Sequence, residues 1–66
     1  MPGRSSIDSA QLSSLSTALD DLSRRVTELA DEYHGTPRED VAADLYEVER
    51  HLMAAGRRLK AVLDRG

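Results

Sequence analysis

Each of the two histidines lies close in sequence to a carboxylate, and these pairs have the clearest potential for chemistry. Asp31 precedes His34 by three residues, and Glu47 precedes His51 by four. On an α-helix both spacings place the two side chains on one face. Imidazole and carboxylate groups bind transition metals, and di-iron bundles use such pairs from facing helices. The pairs therefore raise a metal-binding helical bundle as one hypothesis.

The positions of the two histidines argue against a shared metal site. Gly35 marks a turn directly after His34, whereas His51 falls about halfway along the segment that follows the turn. Two helices joined at this turn would hold the histidines far apart. We therefore expect ordinary surface ion pairs, and we predict no metal and no cofactor.

Other catalytic arrangements find no support in the sequence. The chain has no cysteine, and its serines cluster in the first third of the chain, away from His34. The four glycines are scattered, so they form no Gly-rich phosphate loop. No serine has both a histidine and an acid placed to activate it. We predict that the protein is not an enzyme.

Two apolar heptad patterns dominate the rest of the chain, and they predict two amphipathic helices that pack on other helices. Apolar or aromatic residues recur at alternating gaps of three and four in each pattern. We call these fourteen positions the heptad seam and expect them to mediate self-association. They are Leu12, Leu15, Leu19, Leu22, Val26, Leu29, Tyr33, Val41, Leu45, Val48, Leu52, Ala55, Leu59 and Val62.

Capping signals define where these helices begin and end. Asp8 is a good N-cap with Gln11 three residues later. Gly35 is suited to a helix C-terminus, and the following Thr-Pro-Arg-Glu reads as a capping box with proline at N1. We predict a disordered tail over 1–6 and one all-α helical-hairpin domain over 7–66. Its parts are a helix over 8–34, a turn over 35–36 and a helix over 37–64.

Small residues flank the first half of the seam at heptad spacing. They are Ser9, Ser16, Ser23 and Ala30. Short side chains at these positions would let a neighbouring helix approach closely. The alternative is that the serines face water. Gly56 is unusual inside a helix, where glycine costs about 1 kcal/mol relative to alanine. It could permit a close helix crossing, which we favour, or mark a site where the last turns loosen and kink.

A second apolar row widens the face of the second helix beyond a two-stranded seam. Its members are Ala42, Tyr46, Met53, Gly56 and Leu63. A stripe of this width suits a four-helix bundle, which two copies of a hairpin would form. The alternative is a patch for a different protein. The candidate residues for such a partner surface are Tyr46, Met53, Arg57 and Arg58.

Charge is polarised along the predicted hairpin. Residues 28–49, around the turn, contain eight acids and one base, whereas the remainder contains eight bases and four acids. Acids at the start and bases at the end of the second helix complement its dipole, but the acids that close the first helix have no such explanation. Two hairpins docked with their turns at opposite ends would pair acidic ends with basic ends. We therefore expect an antiparallel homodimer.

Length and composition narrow the remaining possibilities. A hairpin of 66 residues with no disulfide is short for a self-sufficient core, which favours oligomerisation. No apolar run is long enough for a membrane span or a secretory signal, so we expect a cytoplasmic protein. Eight arginines against one lysine suggest a bacterial genome rich in GC.

The basic cluster near the end of the chain supports an alternative function. Arg57, Arg58 and Lys60 could contact phosphates of a nucleic acid. However, the net charge is −3, and Tyr33 and Tyr46 are the only aromatic residues available for stacking on bases. Our principal prediction is a non-enzymatic interaction, scaffolding or regulatory module that self-associates and recognises a protein partner.

Overall fold

The chain folds into two long antiparallel helices. In a computed structural model that describes residues 8–65, helix α1 spans Ser9–Tyr33 and helix α2 spans Glu39–Arg65. The hairpin is a rod about 56 Å long and 16 Å wide. The predicted all-α hairpin is therefore confirmed. The tail predicted over 1–6 lies outside the described residues.

Asp8 is the N-cap of α1. Its side chain accepts a hydrogen bond from the Gln11 backbone N–H at 3.1 Å, and its carbonyl accepts the first helical bond from Leu12 at 2.9 Å. One of the unpaired N–H groups of the first turn is thus satisfied by the side chain. The described part of α1 begins within one residue of the predicted start.

Helix α1 ends at Tyr33, and the turn is longer than predicted. His34 has an extended backbone (ψ 130°), and Gly35 follows with φ of +82°. This left-handed conformation carries a steric penalty for residues with a side chain. The Thr36 hydroxyl donates to the Tyr33 carbonyl at 2.5 Å, which satisfies an acceptor at the end of the helix. The connection therefore spans 34–38 instead of 35–36.

Helix α2 begins at Glu39, two residues after the predicted start at Pro37. The first carbonyl to accept an i→i−4 bond is that of Arg38, from Ala42 at 3.4 Å. Thr36 accepts from the Arg38 N–H at 3.1 Å, so it organises the turn that precedes the helix. The Thr-Pro-Arg-Glu signal thus identifies the correct region, but the cap and the first helical residue differ because the loop uses two more residues.

The two helices meet through small side chains. The buried residues are Ser16 and Ala30 on α1 and Ala42 and Gly56 on α2. Ser23, which shares the row, is half-buried, whereas Ser9 at the start of α1 is exposed. For Ser16, Ser23 and Ala30, close approach is the interpretation that the structure supports. Among residues 8–65 no large side chain is fully buried.

Replacing Gly56 with alanine should stabilise the fold. A Cβ at this position would meet only the Asp20 Oδ1 atom, at 3.9 Å, which is an ordinary contact. Alanine is favoured over glycine in a helix interior by about 1 kcal/mol. We expect the free energy of unfolding of Gly56→Ala, measured by urea denaturation at fixed protein concentration, to rise by about that amount.

Gly35→Ala is the matched control, with the opposite expected sign. Gly35 has open space around it, but its φ is +82°, which is strained for alanine. The substitution should therefore lower the free energy of unfolding by about 1–2 kcal/mol. If Gly56→Ala were instead less stable than the unsubstituted protein, close packing of the two helices would require a residue without a Cβ at this position.

Candidate interaction surface

The heptad seam divides between two surfaces of the hairpin. Nine of its fourteen residues are half-buried between the helices, whereas five are exposed. The half-buried members are Leu12, Leu19, Val26, Tyr33, Val41, Leu45, Leu52, Leu59 and Val62. The exposed members are Leu15, Leu22, Leu29, Val48 and Ala55, and we call these five the open face.

The small residues at the helix contact explain this division. An α-helix advances about 100° per residue, so turning the row of Ser16, Ser23 and Ala30 toward α2 rotates the row one position before it outward. That row is Leu15, Leu22 and Leu29, and these leucines keep 52%, 45% and 44% of their accessible surface. On α2, buried Ala42 and Gly56 likewise turn Val48 and Ala55 outward, with Val48 44% exposed.

The open face contains a shallow apolar groove that joins the two helices. Leu15, Leu22 and Ala18 line it from α1 together with half-buried Leu19, and Leu59 lines it from α2. The groove is therefore lined by four leucines and one alanine, with no charged group among the lining residues. Such a surface can exclude water from a packed helix, but it has no polar group with which to orient a substrate.

Charged residues border the open face in a polarised order. Along α1, Arg25 and Glu32 follow Leu22 and Leu29 by three residues, and both line a groove with these leucines. Along α2, three exposed residues occupy the equivalent positions next to Val41, Val48 and Ala55. They are Asp44, His51 and Arg58. We call these five residues the rim. Glu32 and Asp44 lie near the turn, and Arg25 and Arg58 lie farther from it.

The opposite side of the hairpin holds a polar groove, in which three of the residues predicted to bind a partner or a nucleic acid are found. Met53, Arg57 and Lys60 line it, and Met53 is 48% exposed. Two acids, Asp20 and Glu49, line the same groove together with a third base, Arg24. Arg24 contacts Asp21 at 3.3 Å. The groove thus carries acids beside its bases instead of a uniform positive charge.

Tyr46 has a structural contact of its own. It is half-buried, and its hydroxyl donates to the Asp31 carboxylate at 2.6 Å across the helix pair. This hydrogen bond, followed by partial burial, raises the pKa of the Tyr46 phenol above its ordinary value. The structure therefore separates the predicted partner residues: Tyr46 joins the helices, Met53 and Arg57 lie in the polar groove, and Arg58 lies on the rim.

The heptad pattern does not separate the open face from the rest of the seam. All fourteen positions share one heptad pattern, and the pattern alone does not reveal which of them face the other helix of the same chain. The signal that distinguishes them is the neighbouring row of small residues, because small side chains mark the line of closest approach.

The histidines make the exposed ion pairs expected of them. His34 Nδ1 lies 2.8 Å from Glu39 Oε2, and His51 Nε2 lies 3.8 Å from Glu47 Oε2; both rings are mostly exposed. Asp31 bonds Tyr46 instead of His34. Within residues 8–65, no three side chains among His, Cys, Asp and Glu come together as metal ligands.

Glu39 connects the two helices at the turn. Its carboxylate accepts from the Gly35 N–H at 2.6 Å and contacts the His34 ring with its other oxygen. The Gly35 bond is the larger cause, and the His34 contact the second, of a pKa for Glu39 below its ordinary value. The ionised form of Glu39 therefore favours the folded turn.

None of the described helices is both long and apolar enough to cross a membrane. No protein-family model, curated protein or solved structure matches the chain.

Replacing Glu39 with glutamine should reduce stability at neutral pH but not in acid. Because the folded state lowers the pKa of Glu39, its contribution is present above the ordinary glutamate pKa and disappears as the pH falls through the lower folded value. We expect Glu39→Gln to have a lower Tm than the unsubstituted protein at about pH 7 and an equal Tm at about pH 2, measured by circular dichroism at fixed protein concentration.

Glu39→Asp tests whether the length of the side chain matters. It keeps the charge at the start of α2 but is one methylene shorter, so we expect it to lose the contacts to Gly35 and His34. An aspartate variant as stable as the unsubstituted protein at neutral pH would contradict a stabilising role for these contacts.

Proposed function

We propose that this protein is a non-enzymatic helical interaction module whose hairpins associate in pairs into a four-helix bundle. The observation that carries the proposal is that several large apolar side chains of the described hairpin remain exposed together on the open face. No large side chain among residues 8–65 is fully buried, and four members of the open face keep 44–52% of their surface. Burial of such surface is the main favourable term in helix association.

A second copy of this chain is the occupant that the open face fits best. Leu15, Leu22 and Leu29 are spaced by seven residues, as are Val48 and Ala55. Two helix pairs with the same spacing can interdigitate their side chains along their whole length. An isologous contact of this kind covers both open faces at once, so neither copy is left with an exposed open face.

The polar groove gives less support to the nucleic-acid alternative. Of the five charged residues that line it, Arg24, Arg57 and Lys60 are accompanied by Asp20 and Glu49. Carboxylates beside the bases repel phosphates, and a continuous basic surface is the usual electrostatic footprint of nucleic-acid binding. We therefore favour self-association through the open face over nucleic-acid binding by the polar groove. The groove would stay accessible when the open face is covered.

Sedimentation equilibrium over roughly 1–200 micromolar protein tests the self-association directly, with helicity measured by circular dichroism on the same samples. We expect a dimer whose helical content rises with its population, since covering the open face stabilises the folded hairpin. A protein that remains monomeric over this range would contradict the proposal and would leave a different protein as the occupant of the open face.

Leu22→Asp and Met53→Asp form a matched pair that identifies the surface involved. Both residues are large and apolar with nearly equal exposure, 45% and 48%, but Leu22 lies on the open face and Met53 lies in the polar groove. We expect Leu22→Asp to raise the dimer dissociation constant by at least about a hundredfold, because it places a charge in the apolar contact. Met53→Asp should leave this constant within about threefold of the original value.

The opposite ranking would assign association to the polar groove. If the helicity of Leu22→Asp falls, the comparison can be repeated with Leu22→Ala and Met53→Ala, which remove apolar surface without adding charge. The same order of effects is expected, at about tenfold for Leu22→Ala.

A further inference from the structure

We infer that the rim orients the two copies head to tail, with the turns at opposite ends, so that α2 of one copy lies along α2 of the other and Asp44 faces Arg58. The inference rests on the proposed self-association and specifies its geometry. The register of the hairpin and the charges of the rim support this orientation.

Two cross-helix contacts establish the register of the hairpin. Tyr46 bonds Asp31, and Gly56 lies beside Asp20. Positions at the same height along the rod therefore have numbers that add to about 76. By this register Glu32 lies level with Asp44, and Arg25 lies level with His51.

A dimer with both turns at the same end would place like charges together. Two-fold symmetry along the rod sets α1 of one copy against α2 of the other at the same height. Glu32 would then lie beside Asp44 of the second copy, and this contact would occur twice. Arg25 would lie beside the second copy's His51, which offers no compensating acid. Like charges in such a contact oppose association.

A head-to-tail dimer removes these contacts and creates attractive ones. The two-fold axis now crosses the rod, so each helix lies antiparallel to its own copy. By the same register, the level of His51, midway between Val48 and Ala55 on α2, is the level of Arg25, midway between Leu22 and Leu29 on α1. With the axis at this level, Asp44 of each copy falls opposite Arg58 of the other, because these two residues lie seven positions on either side of His51.

Arg25 of each copy faces the other copy's Arg25 at this level, which makes one like-charge contact. Glu32 lies seven residues farther along α1 and falls opposite the level of Ala18 of the second copy. The head-to-tail dimer thus has two attractive Asp44–Arg58 contacts against one repulsive contact, so the preference for this orientation comes from α2. Charged residues that border an apolar helix contact are the usual determinants of partner orientation.

Asp44→Arg distinguishes the two arrangements by the sign of its effect. At about 20 mM salt, the head-to-tail dimer should dissociate about tenfold more readily, because arginine now faces Arg58 of the second copy. With the turns at the same end, the substitution would replace repulsion from Glu32 by attraction and tighten the dimer. A lower dissociation constant for Asp44→Arg would thus overturn the inference.

A charge swap and a control complete this test. Arg58→Asp added to Asp44→Arg should restore the dissociation constant to within about threefold of the original, since the pair is reversed in both copies. Glu47→Arg is the matched control: it makes the same change in charge one turn later on α2 but on the outer side of the helix. It should leave association within about threefold of the original. A swap that fails to restore association would contradict the Asp44–Arg58 pairing.

A distance measurement tests the orientation independently of charge. The chain has no cysteine, so Arg38→Cys provides a single exposed attachment site for a spin label at the turn. Pulsed dipolar spectroscopy should give a separation of about 40 Å for the head-to-tail dimer, because Arg38 lies thirteen residues, or about 20 Å of helix, from the axis at His51 in each copy. A separation of about 10–25 Å, as expected for adjacent turns, would overturn the orientation but not the self-association. A monomer by sedimentation would overturn both.

Discussion

The close approach of the two helices is the constraint on which the rest of this structure depends. Ser16 and Ala30 on α1 meet α2 where Ala42 and Gly56 are buried, so the helices touch along their smallest side chains. A helix has a fixed angular period, and the choice of which row faces the partner helix determines where every other row points. Here that choice directs three leucines of α1 and Val48 of α2 outward, while the other large side chains of the seam are half-buried. The result is a closely packed pair of helices with an exposed apolar face.

The turn end of this helix pair is held by polar contacts that need no interior polar core. Glu39 spans the turn to Gly35 and His34, and Tyr46 reaches Asp31 one to two helical turns farther along. These contacts are exposed, so each contributes little alone. Together, however, these contacts determine the register of the two helices, that is, which residue of α1 lies beside which residue of α2. No buried side-chain polar atom among the described residues lacks a partner.

The fold could be predicted from the sequence because its signals are local. Asp8, Gly35 and the heptad pattern each act within one or two helical turns, and they indicate two helices and an intervening turn. The exact start of α2 was missed because Thr36 caps the turn and the first helical acceptor is Arg38. This difference depends on how the loop closes in three dimensions, which neighbouring residue types do not determine.

The division of the seam depends on the rotation of one helix against the other, and no single heptad encodes it. Leu15 and Leu19 look equivalent in sequence, but Leu15 is exposed and Leu19 is half-buried. The row of small residues carries the information, yet serines beside a seam are equally consistent with a solvated face until the second helix is placed. The Tyr46 contact with Asp31 is likewise a product of register, since the two residues are fifteen positions apart.

The proposed association would be coupled to folding. The small residues that let the helices approach contribute little apolar area, and the larger seam residues between the helices are only half-buried. Leu15, Leu22, Leu29 and Val48 lie on the open face, where only another molecule can cover them. Any ligand that binds the folded hairpin and not the unfolded chain stabilises it by mass action. A second copy on the open face, as proposed, would therefore stabilise the folded hairpin by covering the apolar residues that its own two helices leave exposed.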